Sequence, residues 1–125
     1  MNRSAFLFDP EETSKFEDAL RLADRVLEPL ASKYRLRLLP HSSKGWPGRT
    51  LRGRKLFRTY ALRISLDPSY VDTEVLRWDI HDAWMYEYGE LLNKTISSRQ
   101  LAKGVQLDRI DLARILESAV TENFG

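Results

Sequence analysis

Ten lysine and arginine side chains lie between Glu28 and Asp67 without a single aspartate or glutamate among them. Clustered cations of one sign recognise anions, and a chain of phosphates rewards them most because neutralising it releases condensed counterions. Fourteen of the twenty basic residues are arginine, whose planar fork suits bidentate phosphate contacts and stacking on bases. Residues 33–63 therefore read as a basic strand-loop-strand face for nucleic acid, RNA or DNA. Arg35, Arg37, Lys44, Arg49, Arg52, Arg54 and Lys55 are its expected phosphate contacts. Trp46, set between Gly45 and Pro47, is its expected stacking platform for an unpaired base.

Asp79, His81 and Asp82 form the one other dense polar group, with His41 as the second of only two histidines. A histidine beside a carboxylate can exchange protons, and a small metal-independent ribonuclease assembled around His81 or His41 is one alternative function. No metal or cofactor is expected, since two histidines leave few ligand sets and the absence of cysteine removes thiolate sites. No phosphate-binding glycine loop, dinucleotide fingerprint or nucleophile elbow is present. Non-catalytic binding is the main expectation. The competing one is a protein-interaction module, such as an immunity, inhibitor, phage accessory or adaptor protein, that meets an acidic or aromatic-accepting partner. Trp84, Met85, Tyr86 and Tyr88 would be its anchor.

Charged residues make up 30% of the 125 residues and apolar ones 42%, the composition of a folded chain rather than a disordered one. One domain spanning residues 1–125 is expected. The apolar run Ala5 to Phe8 is too short for a signal-peptide core or a membrane span, and the lack of cysteine suits a reducing compartment, so a cytoplasmic location is expected.

The elements that must position these side chains follow from periodicity. Asp9-Pro10-Glu11-Glu12 is a helix start, and Phe16, Ala19, Leu20, Ala23, Leu27 and Leu30 keep the spacing of one buried stripe. Pro29 should end or kink that helix near Glu28. From Tyr34 the period becomes two, predicting a first strand closed by Pro40, then a loop over 41–53. A second strand is predicted over 54–66, with Leu56, Tyr60, Leu62, Ile64 and Leu66 inward, and a third over 74–88, with Leu76, Trp78, Ile80, Asp82, Trp84, Tyr86 and Tyr88 inward. Pairing positions that sum to 140 would set Arg58 against Asp82. Residues 97–103 are expected to form a short helix stopped by Gly104, and Asp108 to cap a last helix. The predicted fold is α+β, a three-stranded antiparallel sheet with helices mainly on one face, in the order α-β-β-β-α(α). A helix-turn-helix over 98–116 is disfavoured against simple packing, because Gln100 stands where a small residue is expected before Gly104, and Asp108 and Asp111 would open its reading helix against phosphates.

Overall fold

The computed structural model describes residues 10–43, 46–67, 69–87 and 93–125. The elements run α1 (Pro10–Tyr34), β1 (Arg37–Ser43), β2 (Trp46–Lys55), β3 (Arg58–Leu66), α2 (Tyr70–Thr73), β4 (Arg77–Glu87), β5 (Asn93–Gln106) and α3 (Arg109–Phe124). The five strands form one antiparallel sheet in the order β1-β2-β3-β4-β5. That corrects the three-stranded expectation: the described residues form five strands, two long helices and the single turn α2. The α+β class stands, and α1 and α3 share one core with a single face of the sheet.

α1 forms as its apolar spacing dictates. Phe16, Ala19, Leu20, Ala23, Leu27 and Leu30 are all buried, stacked on the sheet. Pro29 does not end the helix, which continues to Tyr34. Pro29 and Arg25 are both exposed, so the carbonyl that loses its donor lies on the solvent side, where water replaces the bond. Capping by Asp9 lies outside the described residues.

Two of the corrections concern strands hidden by proline and glycine. Pro40 sits inside β1, an edge strand, where a residue without an N–H is tolerated. The segment expected to loop over 41–53 is mostly β2, paired to β1 from Arg37↔Arg52 to Ser43↔Trp46 and to β3 from Gly48↔Ser65 to Lys55↔Arg58. Gly48 and Gly53 are both buried inside β2 rather than in a turn, and Gly53 marks close approach of packed side chains. At Gly53 an added Cβ would run into Leu36 Cδ2 and stand 2.8 Å from Phe124 Cζ. We expect Gly53→Ala to destabilise by about 1 kcal/mol in urea unfolding, the low end of overpacking, because both neighbours are side-chain ends with room to shift.

β3 and β4 keep the faces read from the alternation. Tyr60, Leu62, Ile64 and Leu66 are buried opposite Trp84, Asp82, Ile80 and Trp78. The register is slipped from the expected one: partners sum to 144, so Arg58 faces Tyr86 and Asp82 faces Leu62. A slip of four residues on one strand leaves each face intact, which is why hydrophobic pattern alone does not choose between the two. The expected Arg58–Asp82 contact is replaced. Asp82 accepts from Tyr60 Oη (2.6 Å) and takes both Nε (3.0 Å) and Nη2 (2.6 Å) of Arg99. Arg58 lies over the Trp84 ring, 5.3 Å from its centroid.

Residues 97–103, expected as a helix, belong to β5. Its pairing with β4 shifts register at three points, and Gly104, with φ of 59°, supplies one irregular position. Those shifts spoil the two-residue period that would have revealed the strand. α3 starts as expected, with Asp111 N donating to the Asp108 side chain at 2.7 Å. It buries Leu112, Leu116, Ala119 and Val120, whereas Ile110 is 70% exposed.

Candidate nucleic-acid interface

The register of β1, β2 and β3 sorts the basic segment by face. Arg49, Leu51 and Gly53 point toward the helices, so Thr50, Arg52 and Arg54 point away from them. Arg37 lies directly opposite Arg52, and Arg63 sits between Thr50 and His81 on the same outer face. Arg37, Arg52, Arg54 and Arg63 are all exposed. Beside them the sheet carries small residues: Ala61 is paired across to Ala83, which is paired to Ser98. Positive charge is thus gathered on one face of β1 to β3, beside small residues of β3, β4 and β5.

The expected site residues separate into three groups. Arg37, Arg52 and Arg54 converge on the outer face. Arg35, at the turn after α1 with φ of 56°, and Lys55, at the end of β2, are exposed at its margins. Lys44 and the Trp46 side chain lie outside the described residues. Arg49 belongs elsewhere and is a correction: it is buried on the helix side.

There Arg49 Nε donates to Asp24 Oδ1 at 2.8 Å, and Nη2 donates to Glu17 Oε2 at 2.7 Å and to Asp24 Oδ2 at 3.3 Å. Nη1 donates to the Gly48 carbonyl at 2.9 Å. Burial opposes the charge, but the hydrogen bonds that the guanidinium donates to Glu17 and Asp24 outweigh it and hold its pKa above the ordinary value. This arginine ties α1 to the sheet. The heptad spacing of Glu17 and Asp24 on α1 was the available signal, since it places two acids on one helix face.

Arg63 takes the place that Arg49 leaves. The Asp79, His81 and Asp82 group is divided by the sheet, with Asp79 and His81 on the outer face and Asp82 in the core. Asp79 Oδ1 accepts the Gly104 N–H at 2.7 Å. His81 titrates below its ordinary 6.5, chiefly through burial and secondly through Arg63, while Asp82 and Asp79 act in the opposite sense. At neutral pH it is an uncharged neighbour of the arginines. Among the described residues no three His, Asp or Glu side chains gather as metal ligands.

The histidine has a measurable consequence. The unfolded chain binds a proton at His81 more readily than the folded chain, so stability falls as pH drops from 6.5 toward the lowered folded-state value. We expect the urea midpoint to fall between about pH 8 and about pH 5.5, and His81→Gln to flatten part of that fall. An identical pH profile in the variant would contradict the placement of this imidazole.

Comparison with known proteins gives no anchor. No family model, curated protein or solved structure matches this chain. Among the described residues no helix is long and apolar enough to cross a membrane.

Proposed function

We propose that this chain is a non-catalytic nucleic-acid-binding module that holds a phosphate backbone on the outer sheet face, with Arg37, Arg52, Arg54 and Arg63 as its principal contacts. The observation that carries this reading is the placement of Arg37 directly opposite Arg52. Exposed cations gathered side by side on one sheet face attract a polyanion, whose neutralisation releases condensed counterions. Among the described side chains, strands β1 to β3 present phosphate-binding groups on the outer face without a phenylalanine, tyrosine or tryptophan beside them, which favours recognition of backbone over sequence. The cysteine-free composition suits a cytoplasmic setting. Retention of a fluorescent oligonucleotide at low salt, released steeply as salt rises, is the expected result. Failure to retain either DNA or RNA at low salt ends the proposal.

A protein partner is the second reading, favoured by a different surface. Ile110 stands exposed beside Leu22, Val26 and Leu112 in an open groove between α1 and the start of α3. Pull-down from nuclease-treated lysate separates the two, because a nucleic-acid binder loses its cargo and a protein binder keeps its partner.

A further inference from the structure

The β2–β3 hairpin ends in a turn built against the usual chemistry of turns. Lys55 pairs with Arg58, leaving Leu56 and Phe57 as the two-residue connection. Leu56 has φ of 59°, a left-handed conformation that such a position normally gives to glycine or asparagine. Both side chains are 83% exposed, so neither the backbone strain nor the apolar surface is offset by packing within this chain. Arg54, Lys55 and Arg58 flank the pair. We infer that Leu56 and Phe57 form a wedge that stacks on unpaired bases of a single strand whose phosphates run along the outer sheet face. The inference rests on the nucleic-acid reading and adds what that face lacks, an aromatic surface for bases.

Cations run from the tip, at Arg54, Lys55 and Arg58, on along the outer face to Arg63, a line longer than a membrane resting on the tip would engage. Arg63 lies six residues beyond the turn, roughly 20 Å along β3 at strand rise. A membrane touched by the tip would stand two Debye lengths from it at physiological salt. A linear polyanion, by contrast, can pass the tip and follow Arg54, Arg52, Arg37 and Arg63 in turn.

The test compares an oligodeoxythymidylate with an abasic oligomer of the same length, which keeps phosphates and removes bases. Wild type is expected to bind the abasic oligomer more weakly. Phe57→Ala is expected to lose about tenfold in affinity for oligothymidylate, the scale of one lost base–aromatic stack, with no change for the abasic oligomer and the same salt slope. Phe57→Trp should retain affinity and show indole emission quenched by oligothymidylate beyond any quenching in wild type. Equal binding of wild type and Phe57→Ala to oligothymidylate overturns the wedge while the phosphate-binding face stands. Equal losses on both oligomers also overturn it, because the side chain would then act without bases. If wild type binds neither oligomer at low salt, or binds anionic vesicles through Phe57 instead, both the wedge and the reading beneath it fall.

Discussion

Arg49→Ala is expected to destabilise the fold by about 3 kcal/mol in urea unfolding, the lower end of what breaking a buried ion pair costs. The substitution leaves Glu17 and Asp24 facing each other across the space the guanidinium filled, and it strips the Gly48 carbonyl of a donor. Both carboxylates retain some access to water, with side-chain exposures of 40% and 20%, which keeps the loss from reaching the top of the range. Arg49→Met on its own should recover the lost packing but not the charge balance. Combined with Glu17→Gln and Asp24→Asn it should return most of the stability, since a well-packed neutral cluster replaces a buried ion cluster at little net change. If Arg49→Ala unfolds at the wild-type midpoint, the ion pairs are not part of the scaffold. A binding assay on Arg49 variants would report this loss of fold rather than a lost phosphate contact, so Arg49 is the wrong residue with which to test the interface.

The misplacement of Arg49 shows what sequence reading can reach. The α1 stripe and most inward residues of β3 and β4 were legible because a buried face imposes a period of 3.6 or 2 on residue type: the stripe, Tyr60 to Leu66 and Trp78 to Asp82 at alternate positions are buried as read, whereas Tyr86, expected inward, is exposed. β2 was not legible, because Pro47, Gly48 and Gly53 are turn-forming residues that here lie buried within a strand, and Arg49 is a cation facing the core. β5 was hidden by its own register shifts and by an edge position that leaves most of it in water. The charge asymmetry was legible as composition. Its division between the two sheet faces was not, since which parity faces outward depends on a register that only the neighbouring strands determine. The hairpin tip was missed for a related reason. Leu56 and Phe57 carry no turn signal, so the alternation runs on through them and points Leu56 inward, whereas it is exposed.

Replacing Arg52, Arg54 and Arg63 together with glutamine is expected to weaken oligonucleotide binding at low salt by about a hundredfold or more, with the salt slope reduced by roughly two to three. The same variant should unfold at a nearly unchanged urea concentration. All three side chains are exposed on the outer face, so replacing them leaves the buried face of β3 untouched. A core variant cannot give this combination of weaker binding without weaker folding. The matched control replaces Arg21, Arg109 and Arg114, exposed residues of α1 and α3, with glutamine and makes the same change in net charge. Focused recognition predicts that the control keeps nearly all of the affinity, because helix-borne charges sit on the far side of the sheet from the outer face and exposed charges beyond a Debye length are screened. Equal loss in the two triple variants would mean that overall charge rather than this face attracts the strand, and the four-arginine surface would no longer be the binding site.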